Sequence, residues 1–214
     1  MRGRREAYYL LGFLLTLGLL LLVDRGVEGI SQAIRFHLGL KLMEWATLLG
    51  IGAVDGAIAF ALLAYGFLSH QERELEAGKY GFYSVISSGA ISQVAKHIFC
   101  RSRPVALNPG VFFNEPICLK AGYSHLSFPS GHATTAFALA TVLAAAYPRL
   151  RFLFLGLAGL VAFSRVYLGS HFASDVFAGA ALGIAVGTLF SRRLVKKGRA
   201  DLTWVPSSKK VFWK

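Results

Sequence analysis

Long apolar runs, separated by short polar and basic intervals, set the pattern of this chain. Six runs come near the roughly 20 residues an α-helix needs to cross a bilayer: 8–23, 48–68, 82–100, 131–147, 152–168 and 172–190. The shorter ones need flanking residues or a locally thinned bilayer to complete a crossing. The pattern predicts an all-α integral membrane protein with six transmembrane helices, in a single domain over residues 1–214. Two connectors are long. Residues 24–47 carry Ile30, Ile34, His37, Leu38 and Lys41 at helical spacing, which suits an interfacial helix as well as an ordinary connector. Residues 101–128 contain Pro104, Pro109, Gly110, Pro116 and Gly122 and read as irregular.

Composition supports the membrane assignment. Hydrophobic residues make up 55% of the chain and charged residues 16%, against about 25% charged in an ordinary soluble domain. The net charge of +12 is explained by basic residues at the ends and between the apolar runs, and no nucleic-acid recognition module is visible. With both termini cytoplasmic, the inner segments hold 15 of the 23 Lys and Arg residues, as the positive-inside rule requires. The tail from 191 to 214 is then a basic cytoplasmic extension. The first run follows Arg2, Arg4 and Arg5, as a signal peptide would. Asp24 and Arg25 follow it in place of a small-residue cleavage site, so an uncleaved anchor is expected. Cys100 and Cys118 fall at the second outer connector, where a disulfide is permitted. A bridge would close a loop of 17 residues, worth roughly 3 kcal/mol by chain-entropy reasoning. Two free thiols are the alternative.

Three polar clusters interrupt the apolar pattern, and this topology brings all three to the outer face. They are Lys96 with Arg103-Pro104, then Pro129-Ser130-Gly131-His132, then Ser164-Arg165 with His171 and Asp175. Three cations near one another repel unless an anion sits among them, and phosphate suits the arginine fork. Ser130 and Gly131 open an apolar helix, whose N–H groups favour an anion. His171 and Asp175, four residues apart, share a helix face if the last helix starts near His171. Asp175 would then hold the Nδ1 proton, leaving Nε2 as a nucleophile. His132 remains as the acid for the leaving oxygen and the base for water. No metal-ligand spacing is present, so no metal and no cofactor is expected, and cations take over the stabilisation of phosphoryl charge. Asp55, inside the second run, either pairs with Lys96 or Arg103 or bonds a neighbouring helix. Gln93, three residues before Lys96, is a supporting residue or a helix–helix contact.

These clusters resemble the three-part signature of the type 2 phosphatidic acid phosphatase superfamily: K-x6-R-P, P-S-G-H and S-R-x5-H-x3-D. Each position is matched, by Lys96, Arg103 and Pro104, by Pro129, Ser130, Gly131 and His132, and by Ser164, Arg165, His171 and Asp175. The likeness covers a core of about 82–190; the first 80 residues share only their two spans. It implies a six-helix membrane fold with the site at the outer face. It also implies a phosphohistidine on His171 oriented by Asp175, with His132 as general acid. Lys96, Arg103, Ser130, Gly131 and Arg165 would bind phosphate. Vanadium-dependent haloperoxidases share such a pocket but are soluble, which this composition opposes.

The expected activity is hydrolysis of a lipid phosphate or pyrophosphate in a bacterial plasma membrane, facing the periplasm or exterior. The family acts on undecaprenyl pyrophosphate, phosphatidylglycerophosphate, phosphatidic acid and lipid A phosphates, and no headgroup is legible here. A lipid phosphotransferase using the same histidine, a non-catalytic lipid-binding protein and a soluble-substrate phosphatase are the other readings. Intact His132 and His171 oppose the non-catalytic one.

Overall fold

The structure, a computed structural model, describes residues 2–112, 118, 122–196 and 198, with side chains from Glu6 onward. Phe113, Pro116 and Lys120 of the long connector and most of the basic tail lie outside the described residues. Seven α-helices follow in order: α1 (Arg2–Ala33), α2 (His37–Leu48), α3 (Gly52–Leu68), α4 (Glu72–Phe99), α5 (Gly131–Ala146), α6 (Arg151–Tyr167) and α7 (Ala173–Lys196). Short 3-10 turns at Tyr123–His125 and Pro148–Leu150 join them.

Each apolar run lies in a helix, but the boundaries differ where polar groups find partners. The segment 24–47 is not one interfacial helix. α1 continues to Ala33 because Asp24, expected to end the first run, is buried and accepts bonds from Arg101 and the Ser174 amide. α2 starts only at His37 and packs on α6, where the Tyr167 hydroxyl accepts the Phe36 amide at 3.2 Å.

By length and apolar composition, three helices can cross a bilayer among the described residues: Glu6–Ala33, Pro148–Tyr167 and Ala173–Lys196. A fourth results if α2 and α3, bent by 52°, form one broken span. This is fewer than the six apolar runs suggest. α5 has only 16 residues. α4 has 28, but Glu72, Glu74 and Lys79 open it, and Ser84, Ser88, Ser92 and Lys96 punctuate it. Those four later polar residues are buried, and Ser84 and Ser88 bond backward to the Gly81 and Val85 carbonyls at 2.7 and 3.2 Å. The polarity of α4 thus faces protein, where a hydropathy criterion counts it against a span.

α5 is the central helix. Thirteen of its 16 residues are buried, and α3, α4, α6 and α7 surround it. Alanines and threonines let the neighbours come close. The closest is α7, through Gly179, Gly183 and Gly187, spaced four apart on one face. A Cβ at Gly179 would lie 2.5 Å from the Ser130 carbonyl, and one at Gly187 2.6 Å from the Ala138 carbonyl. At Gly183 the Thr134 carbonyl is closer still. Backbone meets backbone along two turns, which fixes the N-terminal end of α5 against that of α7. The hydrogen bond from the Ser130 amide to the Asp175 carbonyl, 2.9 Å, closes this contact.

α4 ends at Cys100, in the left-handed region at φ 47°. A disulfide joins it to Cys118, with Cα atoms 5.9 Å apart. The Cys118 amide also donates to the His97 carbonyl at 3.0 Å, so the connector is pinned to the helix end. Gly169, at φ +69°, turns the chain between α6 and α7; only glycine takes this conformation readily.

The glycine stripe predicts an asymmetric response to an added methyl. Gly183→Ala should lower thermal stability in detergent by roughly 1–3 kcal/mol through overpacking. Gly159→Ala on α6, where nothing lies within 4 Å, should leave it unchanged or raise it. Equal unfolding midpoints for the two variants would contradict the close contact.

Candidate active site

The ends of α4, α5, α6 and α7 that carry the three polar clusters meet at one side of the bundle. They enclose a cavity of about 370 Å³ whose lining includes Lys96, Arg103, Gly131, His132, Arg165 and His171. Ser92, Gln93, Tyr123 and Thr135 complete its polar wall, and no acidic residue lines it among the described residues. A site with three cations and two imidazoles attracts an anion and holds it with charge-assisted bonds.

Backbone carbonyls hold two of the cations in place without neutralising them. The buried Lys96 ammonium donates to the carbonyls of Pro129, Leu126 and Ser127 at 2.7, 2.9 and 3.3 Å. Arg103 donates to the carbonyls of Tyr123, Ser170 and Leu126 at 2.9, 2.9 and 3.2 Å. Its guanidinium lies 3.7 Å from the centre of the Tyr123 ring. Arg165 donates to the Thr47 hydroxyl of α2 at 2.8 Å. Its buried Nε and the Ser92 hydroxyl, both belonging to the lining, have no hydrogen-bond partner among the described residues.

His171 lies in the turn before α7, which begins two residues later than the sequence spacing suggests. Asp175 nevertheless reaches it from the first helical turn, with Oδ2 3.5 Å from Nδ1. That contact is long because Oδ2 also accepts the Ser127 hydroxyl at 2.5 Å and the Phe172 amide at 3.0 Å. On the other side, Arg103 approaches Nε2 at 3.2 Å. A guanidinium only donates, so Nε2 carries the lone pair and Nδ1 the proton. Burial pushes the His171 imidazole down to about 3, against the opposing pull of Asp175. The ring is therefore neutral at neutral pH, with Nε2 directed at the cavity cations.

Five residues of this apparatus escaped sequence reasoning. Arg101 lies under His171 and bonds Asp175 Oδ1 and the Ser174 hydroxyl, both at 2.6 Å, and Asp24 Oδ2 at 2.8 Å. Asp24 also accepts the Ser174 amide at 3.0 Å and its hydroxyl. Phe172 stacks on the Arg101 guanidinium at 4.4 Å. This buried ion triad ties α1 to the start of α7. Arg101 sits two residues before Arg103, and its side chain takes the opposite direction, away from the cavity. Asp24 comes from 77 residues earlier, a distance no local spacing reveals. Ser127 acts only through its position in the connector.

The remaining expected residues divide between the cavity and its surroundings. Ser130 opens α5, but its side chain makes no cap bond; its amide goes to Asp175. A Cβ at Gly131 would lie 3.8 Å from both Lys96 and Ser92. Gln93 does line the cavity. Asp55 makes no ion pair with Lys96 or Arg103 among the described residues. It lines a separate apolar groove beside Thr135.

A family model described as the PAP2 superfamily matches residues 78–199, a span that contains all three polar clusters. The lipid A 1-phosphatase of Rhizobium johnstonii is 36% identical over 107 residues, 50% of this chain and 43% of that protein. The chain thus spans less than half the length of that relative. The decaprenylphosphoryl-5-phosphoribose phosphatase of Mycobacterium tuberculosis is 36% identical over 172 residues, 78% of this chain and 81% of that one. Among solved structures, LpxE of Aquifex aeolicus superposes with a TM-score of 0.60 at 26% identity, covering 79% of this chain and 95% of that one.

Two measurements check the geometry. Nitrogen chemical shifts of His171 should remain those of a neutral, Nδ1-protonated ring down to pH 5; a doubly protonated ring at pH 6 would contradict the burial argument. Asp24→Ala leaves Arg101 half-paired and should cost about 3–5 kcal/mol, as breaking a buried ion pair does. An unchanged unfolding midpoint would show that the triad bears no load.

Proposed function

The chain belongs to the PAP2 superfamily, and we propose that it is an integral membrane phosphatase that hydrolyses a lipid phosphate or pyrophosphate through a phosphohistidine on His171. The observation that carries this reading is the cavity itself: among the described residues, Lys96, Arg103 and Arg165 line it with both histidines and no carboxylate. The unpaired donors of Arg165 and Ser92 are further ligands for phosphate oxygens.

In the first step, Nε2 of His171 attacks phosphorus while the bond to the lipid oxygen breaks. His132 protonates the departing oxygen. Asp175 keeps the Nδ1 proton and balances the positive charge that develops on the imidazole. Lys96, Arg103 and Arg165 stabilise the charge on the phosphoryl oxygens, as a metal does in other phosphatases. Arg103 must shift its bond from Nε2 to a phosphate oxygen as the nucleophile engages. In the second step, His132 takes a proton from water, which attacks the phosphohistidine and releases phosphate. Gly131 and Ser130 bring the backbone of α5 close to the phosphate.

Six crossings suit this arrangement. α3, α4 and α5 would cross in the shelter of one another, with their polar groups turned inward. The basic residues then gather on the cytoplasmic side and the site opens at the outer face of a bacterial plasma membrane. The substrate is an envelope lipid. Relatives named for lipid A 1-phosphate and for a decaprenyl-linked ribose phosphate point to glycolipid and polyprenyl phosphates as the first to try, beside phosphatidic acid and phosphatidylglycerophosphate.

The test is phosphate release in EDTA by the detergent-purified protein, across that panel. His171→Ala should abolish release, by at least about 10³-fold, and His132→Ala should lower it by roughly 10²–10⁴-fold, the usual share of acid–base catalysis. Release that requires a divalent ion, or that survives in His171→Ala, would overturn the mechanism.

A further inference from the structure

Beside the cationic cavity lies a second, apolar groove of about 150 Å³ between α3, α5 and α6. Leu49, Ile58, Leu139, Leu143, Phe154 and Val161 are among its walls, and Asp55 is its acidic group. Asp55 is 2% exposed; Thr135 hydrogen-bonds its carboxyl group, while its Oδ2 has no hydrogen-bond partner among the described residues. A carboxyl oxygen set unpaired in an apolar wall is costly unless something donates to it. Building a wall of leucine and phenylalanine around it makes sense if the donor arrives on an apolar molecule.

The groove adjoins the phosphate site: Leu49 and Ala136 line the groove, and their chain neighbours Gly50 and Thr135 line the cationic cavity. Asp55 sits beside Thr135, and Thr135 also lines the cationic cavity. On α5, Thr135 is three residues from His132, about 4.5 Å along the helix axis. Ile58 and Leu157 line the groove and are also exposed, at 41% and 40%, so it opens sideways between α3 and α6. An apolar cavity of this volume accepts a benzene-sized molecule, or a stretch of about six carbons.

We infer that this groove is the subsite for the part of the lipid adjoining the phosphoester, and that Asp55 accepts a hydrogen bond there from a hydroxyl or amide N–H. This rests on the lipid-phosphatase reading above. A phosphate held by Lys96, Arg103 and Arg165 places the first few atoms of the lipid alongside Thr135 and Asp55, and the chain beyond them among the leucines. Lipids with a donor a few bonds from the phosphoester are preferred over those that present bare hydrocarbon. Asp55 is a specificity residue; it does not touch the reacting atoms.

The test uses the full chain in detergent and a pair of lipids that differ in one oxygen: 1-acyl lysophosphatidic acid and its 2-deoxy analogue. Binding is measured directly on His171→Ala protein, so the outcome does not depend on turnover. The hydroxyl lipid should bind about tenfold more tightly, the worth of one hydrogen bond. In Asp55→Leu that ratio should fall to about one, while Asp55→Asn, which keeps an acceptor oxygen, should retain part of it. Ala140→Leu, which fills the groove, should weaken both lipids. In the His171-intact protein, hydrolysis of p-nitrophenyl phosphate, which has no lipid tail, should be unaffected by the Asp55 and Ala140 variants. Equal binding of the two lipids to the protein with Asp55 intact, or a ratio unchanged in Asp55→Leu and Asp55→Asn, would overturn the subsite. So would parallel losses of lipid binding and p-nitrophenyl phosphate turnover in Asp55→Asn, which would make Asp55 a purely structural residue. Failure of the phosphatase reading shows separately, as absence of His171-dependent phosphate release from every substrate.

Discussion

The site depends on how closely α5 and α7 approach. Gly179, Gly183 and Gly187 remove the side chains that would hold these helices apart, and carbonyls of α5 occupy the space. Two consequences follow from this one contact. The Ser130 amide reaches the Asp175 carbonyl, which ties the start of α5 to the start of α7. His132 and His171 then line the same cavity, although 38 residues separate them in the sequence. In a membrane, where apolar burial gives helices little reason to associate, such close backbone packing is a main source of specificity.

Charge is organised around this contact in two layers. On the cavity side, Lys96 and Arg103 are held by carbonyls, so their charge stays available to a ligand. Behind His171, Asp24, Arg101 and Asp175 form a buried triad in which one guanidinium bridges two carboxylates. Asp175 therefore serves two masters: one oxygen goes to Arg101, the other faces His171 with Ser127 and Phe172. A carboxylate so tightly engaged is a fixed element against which the imidazole is oriented. α1, which otherwise touches little of the bundle, joins the site through Asp24.

The contrast between the two neighbouring cavities follows from the same helix. The N-terminal turn of α5 offers Gly131 and His132 to the cationic cavity. One turn later Thr135 faces both it and Asp55, and Ala136, Leu139, Ala140 and Leu143 then line the apolar groove. The polar lining of one cavity and the apolar lining of the other thus follow one another along a single helix.

By itself the sequence determined that the chain is helical and apolar enough for a membrane, and which residues form the three polar clusters. Both are local properties: apolar runs declare helices, and Lys96 to Arg103, Pro129 to His132 and Arg165 to Asp175 are short-range spacings. The hydrophobic pattern overstated the number of helices that meet a membrane criterion unaided, because polar residues of α4 and the short α5 are sheltered by neighbours that no local window sees. Only the tertiary structure decided the rest. Asp24 lies far from Arg101 in sequence, and pairs with it because α1 packs against α7. Arg101 and Arg103 look alike on paper, yet alternate chain directions send one beneath Asp175 and the other to His171. Asp55 could have paired with a site cation or bonded a neighbouring helix, and the direction of α3 sets it beside Thr135 of α5 in an apolar groove. Pairings of this kind depend on helix packing and side-chain direction, which become defined only when the whole bundle has assembled.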